Sequence, residues 1–275
     1  LFKKASMSSF LLIDIGNSRL KWASVDSKRN PIERDKKLWD HSGAIDTKLL
    51  DSKEHRDELA HYILNTIPTP SAIGLCSVAT ESAVQQINEL LQPWQRCPQF
   101  RLLGNSSYPS LRTQYQNTHT LGADRWAALI AARELSNDNS LVISTGTATT
   151  IDFLGGNGMH YGGWILPGLG LMRQSLLQHT AGLNIASLDQ ASTGIGLDTA
   201  GAIDEGSRLA HLGAIAQAMN FAKERHQVIT RVWIDGGHAT TLFDGLIQNQ
   251  IPTEKIPGLV LRGLWAWLNT QVTRN

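Results

Sequence analysis

The sequence contains few cysteines and no long apolar run. Cys76 and Cys97 are the only two cysteines among 275 residues, and they form neither a metal-binding spacing nor a disulfide framework. We therefore expect a protein of a reducing compartment, the cytoplasm. The apolar run from Phe10 to Ile13 is too short for a signal peptide, and no other run approaches a membrane span. We expect no membrane contact.

The chain also lacks an excess of charge of either sign. Lys and Arg total 25 against 24 Asp and Glu, which gives a formal charge of +1 and indicates no nucleic-acid partner. The nine histidines show no metal-ligand spacing.

A chain of 275 residues can form two lobes. Because Met7 is the first methionine, we expect residues 1–6 to be a non-native leader.

The stretch from Leu11 to Lys21 predicts a buried strand that ends in a ligand-binding turn. Asp14 interrupts the apolar run just before Gly16, and a buried carboxylate costs several kcal/mol unless a cation or hydrogen-bond donors meet it. Gly16 permits close backbone approach, and the residues after it supply an amide, a hydroxyl and a lysine. This pattern suits phosphate, although an ordinary β-turn with an Asx cap explains the short motif equally well.

A second stretch, Leu141 to Phe153, repeats this pattern of strand, glycine turn and strand. Gly146 is flanked by hydroxyl side chains and stands in the position that Gly16 occupies in the first stretch. The repeat predicts two similar lobes that each offer one turn to a shared cleft. Chance similarity between two glycine hairpins is the alternative explanation.

Elsewhere, strands alternate with helices, which is typical of an α/β fold. Helical spacing of apolar residues predicts helices over His55–Ile67 and Glu81–Trp94, with a strand over Ala72–Val78 between them. A long amphipathic helix is expected from Thr199 towards His226. We expect Asp235-Gly-Gly237 to form a turn on which a nucleoside can rest.

An acid and a base lie side by side at the start of an alanine-rich helix. Asp124 and Arg125 directly precede Trp126, from which the helix is expected to run to Leu135. Helix capping is the simpler explanation, because an acid in the first turn interacts favourably with the helix dipole. A catalytic role gains weight because the pair follows a polar loop and precedes the second glycine turn.

Taken together, four motifs in this order resemble the type III pantothenate kinases, a family that includes the Bvg accessory factors. The motifs are Asp14–Ser18 with Lys21, Gly122–Arg125, Gly146–Asp152 and Gly162–Gly168. The resemblance implies an α/β fold of two related actin- and ribonuclease H-like lobes, each with a central mixed sheet, and an active site in the cleft between them. We expect the lobes to span residues 7–120 and 121–275.

The resemblance also implies the reaction, its cofactors and its site residues. ATP would phosphorylate the primary hydroxyl of pantothenate with Mg²⁺ and a monovalent cation, K⁺ or NH₄⁺, in a homodimer. The implied ATP-binding residues are Asp14, Ile15, Gly16, Asn17, Ser18, Arg19, Leu20, Lys21 and Thr147. The implied pantothenate-binding residues are Tyr115, Gly122, Ala123, Asp124, Arg125 and Thr199, with Asp124 as the catalytic base and Asp14 holding Mg²⁺ through water.

One position departs from the family pattern. Ser144 stands where the family usually carries an aspartate that is associated with the monovalent cation. A hydroxyl can still bind K⁺ or NH₄⁺, but without the negative charge we expect weak or altered cation dependence. Activity that collapses without K⁺ and saturates at low K⁺ would contradict this expectation.

Two other functions remain open at this point. A non-catalytic nucleotide-binding regulator of the same fold is one, and a kinase for another small hydroxy compound is the other. Retention of Asp14, Asp124 and Arg125 argues against the regulator, since a protein freed from catalysis has no physical reason to keep a buried acid and its partner. ATP turnover measured with and without pantothenate separates the three.

Overall fold

The structure is a computed structural model that describes residues 9–32, 38–179 and 194–273. The chain forms two compact units. The first contains the described residues up to Ser136 together with those from Leu259 onward, and the second runs from Asn137 to Gly258. Within the described ranges, every helix is either too short or too polar to cross a membrane.

The first unit contains a five-stranded mixed sheet. Its strands are β1 (Ser9–Ile15), β2 (Arg19–Asp26), β3 (His41–Asp46), β4 (Ala72–Ser77) and β5 (Gln99–Leu102). They lie in the order β3-β2-β1-β4-β5. β1 pairs with β2 antiparallel and with β4 parallel, so the first strand lies at the centre of the sheet. A two-residue strand, β6 (Arg112–Thr113), follows later in the chain.

The second unit repeats this topology. Its strands are β7 (Ser140–Thr145), β8 (Ala148–Leu154), β9 (Met159–Pro167), β10 (Arg231–Asp235) and β11 (Thr253–Lys255). They lie in the order β9-β8-β7-β10-β11. The first three strands pair antiparallel, and the last two pair parallel, as in the first unit. The identical order and directions confirm the predicted internal repeat and the predicted α/β fold class.

Seven α-helices lie in the described residues. They are α1 (Lys53–Thr66), α2 (Glu81–Leu90), α3 (Ala123–Leu135), α4 (Leu169–His179), α5 (Thr199–Glu224), α6 (Ala239–Gln248) and α7 (Leu259–Val272). Short 3-10 helices cover Thr47–Asp51, Gln92–Trp94 and Thr118–Thr120. Side chains cap several helix starts: Ser52 accepts from the His55 N–H, Thr80 from the Ala83 N–H and Asp198 from the Gly201 N–H.

Side chains alternate between the two faces of each strand, and the apolar side chains on one face form a separate core in each unit. In β1, Leu11, Ile13 and Ile15 enter the core that α1 and α2 cover. In the second unit, Leu141 and Ile143 of β7 pack with residues of α5 and α6. The strand residues between them, including Asp14 and Ser144, therefore lie on the opposite face of each sheet.

The opposite face of the first sheet is covered by α3 and α7. A Cβ added at Gly74 of β4 would meet side-chain atoms of Leu264 and Leu268 of α7. A Cβ at Gly263 would lie 1.7 Å from the Ala127 carbonyl oxygen, so the two helices touch backbone to backbone. Alanines on α3 leave room for this close approach.

The two compact units differ from the predicted lobes at their boundaries. The expected division at residue 120 assigns α3 and α7 to the second lobe. The structure groups both helices with the first unit, because they pack on each other and on the first sheet. The sequence pattern also failed to indicate β3, β11 and α6.

The contact between α3 and α7 yields a stability prediction. Replacing Gly263 by Ala forces the helices apart, so we expect the free energy of unfolding to fall by about 3 kcal/mol. Gly213→Ala is the matched control, because Gly213 lies in α5 with open space around it and should gain up to about 1 kcal/mol. Urea unfolding followed by tryptophan fluorescence measures both, and an unchanged midpoint for Gly263→Ala would refute the close packing.

Candidate functional site

The first glycine turn joins the central strand β1 of the first sheet to its neighbour β2. Register pairs Asp14 with Lys21 and Ile15 with Leu20, which leaves residues 16–19 between the paired positions. The Gly16 N–H donates to the Arg19 carbonyl at 3.0 Å, and this hydrogen bond closes the turn. Asn17, Ser18 and Arg19 are exposed, whereas the side chains of Ile15 and Leu20 lie in the core. Only the backbone of those two residues can therefore contact a ligand.

Thr47 fixes this turn, although nothing in the sequence singled it out. Its hydroxyl donates to the Gly16 carbonyl at 2.8 Å, and its N–H donates to the Ser18 carbonyl at 3.0 Å. Asp46, one residue earlier, pairs with Arg19 at the end of β3. Only the pairing of β3 with β2 brings Thr47 to this turn, because Thr47 and Gly16 lie 31 residues apart in the sequence.

Asp14 and Asp124 both influence the thiol of Cys76, a residue of β4 in the first sheet. Asp14 is 6% exposed and is paired in register with Cys76. Burial raises the pKa of the Cys76 thiol, and the carboxylates of Asp14 and Asp124 raise that pKa further. Both carboxylates therefore act on the same thiol in the first unit.

Asp124 lies in the first turn of α3. Gly122 is the N-cap and makes no side-chain capping bond, whereas the Asp124 Oδ1 accepts from the Arg125 N–H at 2.8 Å. A Cβ at Gly122 would lie 2.6 Å from the Asp124 Oδ1 and 3.7 Å from Val78, which follows β4. The Val78 N–H in turn donates to the Ile15 carbonyl. The carboxylate thus sits at a helix N-terminus beside the first turn.

Arg125 contacts Tyr115, as expected for residues of one substrate site. Its Nη1 donates to the Tyr115 hydroxyl at 3.2 Å, and its guanidinium carbon lies 5.5 Å from the centre of the Tyr115 ring. Arg125 is 5% exposed, which distinguishes it from an ordinary surface arginine. A guanidinium offers five N–H donors in a planar fork that suits carboxylates.

The second glycine turn lies between β7 and β8 in the second unit. The Gly146 N–H donates to the Ala148 carbonyl at 3.0 Å, and both Gly146 and Thr147 are exposed. Asp152, further along β8, is buried and lies 2.9 Å from the buried His160, measured from Oδ1 to Nε2. Asp152 is therefore held inside the sheet rather than at the turn.

Two further glycine turns pack against the second one. The Gly168 N–H donates to the Thr147 carbonyl at 2.8 Å, and a Cβ at Gly168 would lie 2.2 Å from the Gly146 carbonyl oxygen. Gly236 has a φ of +113°, and a Cβ there would lie 2.3 Å from the Thr145 carbonyl oxygen. Backbone from three loops thus converges at the carboxyl end of β7, beside the N-termini of α4 and α6.

His238 is a residue of this region that the sequence analysis missed. Its N–H donates to the Thr145 carbonyl at 3.3 Å, and it is the N-cap of α6. Burial lowers the pKa of His238 below its usual range, and the nearby Arg173 and His211 lower it further. These effects favour the neutral form of the ring. Its position directly after the Asp235-Gly-Gly237 turn was the available signal.

Thr199 is exposed at the first position of α5. It lines a groove of about 780 Å³ on the second unit between α4 and α5. The groove is bounded by Pro167, Leu171, Met172, Ser175, Leu176, Thr199, Ala202, Ile203, Gly206 and Ser207. Leu171 and Leu176 remain substantially exposed there.

Solved structures share this fold. A protein from Campylobacter jejuni, described as a conserved Baf family transcriptional activator, matches with a TM-score of 0.60 and 19% identity over 96% of this chain and 99% of its own. Glucokinase from Balamuthia mandrillaris in complex with glucose matches with a TM-score of 0.52 and 11% identity, over 97% and 95% of the two chains. At these identities the likeness shows the fold alone.

Sequence comparison is more specific. A type III pantothenate kinase from Burkholderia mallei (strain SAVP1) is 32% identical over 268 residues, which is 92% of this chain and 96% of the relative. The family model described as type III pantothenate kinase matches residues 10–220, a range that includes both glycine turns and the Asp124 helix start. The chain belongs to the type III pantothenate kinase family.

Proposed function

We propose that this protein transfers the γ-phosphoryl group of ATP to the primary hydroxyl of pantothenate, giving 4′-phosphopantothenate in the first step of coenzyme A biosynthesis. The observation that carries this proposal is that a Cβ at Gly122 would contact both the Asp124 Oδ1 and Val78, whose N–H donates to the carbonyl of Ile15, the residue after Asp14. One carboxylate can serve the acceptor alcohol and the other the phosphates. Membership of the family supports the same substrates.

The proposed pantothenate-binding residues are Tyr115 and Gly122–Arg125 in the first unit and Thr199 at the start of α5 in the second unit. Arg125 holds the pantothenate carboxylate, and its contact with Tyr115 orients the guanidinium. Asp124 then orients the alcohol and accepts its proton. An alcohol is too weak an acid to ionise beforehand, so the proton moves late, after a loose transition state has formed.

The proposed phosphate-binding residues are those of the Asp14–Lys21 turn in the first unit and Thr147 in the second unit. Backbone N–H groups of the turn and the exposed Asn17 and Ser18 side chains face the ligand, and Lys21 offsets charge on the transferring group. Asp14 offers the hard carboxylate oxygens that Mg²⁺ prefers and would hold that ion through water. When bound, Mg²⁺ neutralises charge that develops on the phosphate oxygens. The proposal also includes a monovalent cation, K⁺ or NH₄⁺, at Ser144.

The role of Asp124 is tested by substitution. We expect Asp124→Asn to lower kcat about 100- to 10,000-fold while the Kd for pantothenate stays nearly unchanged, because the amide keeps the shape and loses the base. Asp57→Asn is the matched control, since Asp57 is exposed on α1 of the same unit. Steady-state ATP turnover and calorimetric pantothenate binding measure the two effects.

Three results would change this assignment. Near-full activity of Asp124→Asn would refute its role as the base. If the wild type turned over ATP with another small alcohol but not with pantothenate, that alcohol would replace pantothenate as the proposed substrate. Nucleotide binding without turnover on any acceptor would favour the non-catalytic regulator.

The packing of Gly168 against the second turn yields a prediction for ATP. Gly168→Ala places its Cβ within 2.2 Å of the Gly146 carbonyl oxygen and displaces the turn, so we expect ATP affinity to fall about tenfold or more. Gly170→Ala is the control, because the nearest atom to a Cβ added at Gly170 is the His238 Nε2, at 3.8 Å. Fluorescent-nucleotide titration measures both, and equal affinities for the two variants would remove Thr147 from the phosphate site.

We further propose that the protein is a homodimer that uses the groove between α4 and α5, so that a second copy lies close to Thr199. Leu176→Glu places a charge on that apolar surface and should convert the dimer to a monomer. Leu209→Glu is the control, because Leu209 is equally exposed on α5 but does not line the groove. Sedimentation velocity measures the mass, and a monomeric wild type would contradict the proposal.

A further inference from the structure

Asp235 lies one strand away from Ser144, the position where the family pattern expects an aspartate. β10 pairs with β7 in parallel, and the register sets Asp235 directly beside Ser144. Residues paired in this way project to the same face of a sheet, and neighbouring strands lie about 4.8 Å apart. The strand next to Ser144 therefore carries a carboxylate residue at the paired position, on the same face of the sheet.

A third oxygen-bearing side chain completes this row. β8 pairs with β7 antiparallel, and the register sets Thr150 on the other side of Ser144. We call Asp235, Ser144 and Thr150 the oxygen row. Ile143 and Ile234 point into the core of the second unit, so the row lies on the opposite face of the sheet. Ser144 and Asp235 are half-buried, which limits competition from bulk water.

Backbone contacts fix the row to the second glycine turn. The Thr145 hydroxyl donates to the Asp235 carbonyl at 3.0 Å, and the His238 N–H donates to the Thr145 carbonyl at 3.3 Å. The contact of Gly236 with Thr145 is too close for any side chain at position 236. The position of Asp235 is therefore set by the same residue, Thr145, that begins the turn.

We infer that Asp235 supplies the carboxylate of the monovalent-cation site at the second glycine turn, with the hydroxyls of Ser144 and Thr150 as neutral ligands. The inference rests on the proposed function, which brings such a cation to this turn. A carboxylate and two hydroxyls are hard oxygen donors of the kind that alkali cations prefer over nitrogen or sulfur. The expectation of weak cation binding considered Ser144 alone, and Asp235 restores the missing charge from the neighbouring strand.

The test is cation binding by the full-length chain, measured without turnover. We expect KCl to raise the thermal unfolding midpoint of the wild type more than tetramethylammonium chloride at equal ionic strength. Asp235→Asn should raise the half-saturating K⁺ concentration about tenfold or more, because a neutral amide replaces the charge nearest the ion. Asp235→Glu keeps the charge and should retain the K⁺ response.

Two further variants sharpen the comparison. Asp138→Asn removes the same charge at the opposite end of the same sheet, where the Asp138 Oδ2 lies 3.4 Å from the Arg231 Nη2. This control should have the half-saturating K⁺ concentration of the wild type. The exchange Ser144→Asp with Asp235→Ser returns the carboxylate to the family position and should recover the K⁺ response that Asp235→Asn loses. Midpoints in tetramethylammonium chloride establish that each variant folds.

The outcomes separate this inference from the proposed function. The inference is overturned if K⁺ raises the unfolding midpoint of the wild type no more than tetramethylammonium does. It is also overturned if Asp235→Asn has the same half-saturating K⁺ concentration as the wild type. A non-hydrolysable ATP analogue is added in parallel at saturating K⁺. If it raises the midpoint while K⁺ alone has no specific effect, nucleotide binding stands and the inference fails. If K⁺ acts through Asp235 but the analogue has no effect, the cation site stands and the proposed function fails.

Discussion

The electrostatic cost of placing two carboxylates at one edge of a sheet shapes the first unit. Asp14 is almost fully buried, Asp124 is half-buried, and both act on the thiol of Cys76. A carboxylate in such a place is unfavourable unless donors or a cation meet it. The N-terminus of α3 partly satisfies Asp124 through the Arg125 N–H and the helix dipole. In the proposed reaction, Mg²⁺ held through water would supply positive charge beside Asp14.

The duplicated topology does not mean that the two glycine turns are held in the same way. A side chain from outside the hairpin, Thr47, fastens the first turn through two hydrogen bonds. Backbone from the loops at Gly168 and Gly236 fastens the second. A side-chain hydrogen bond can be exchanged by substitution at modest cost, whereas close backbone contact tolerates only glycine. The second turn is therefore the more constrained of the two.

The sequence was sufficient to predict the fold class, the internal repeat and most strands and helices, because the apolar spacing and the two glycine turns are local signals. It was insufficient wherever partners lie far apart in the chain. β3 has no apolar alternation, and its burial alternates between half-buried and exposed, so only pairing with β2 defines it. α6 contains two threonines and a glycine, which are weak helix formers. The proximity of Asp235 to Ser144 depends on strand register, which no sequence pattern specified.

The return of α7 to the first unit affects how the chain acquires its structure during synthesis. The second unit, Asn137 to Gly258, is an insertion between two parts of the first. A ribosome therefore delivers every residue of the second unit before the helix that covers one face of the first sheet exists. Until then Leu12 and the surface around Gly74 lack the side chains of Leu264 and Leu268 that pack there. The chain of the second unit is thus complete before that of the first, whose sheet gains its last covering helix only when α7 has been synthesised.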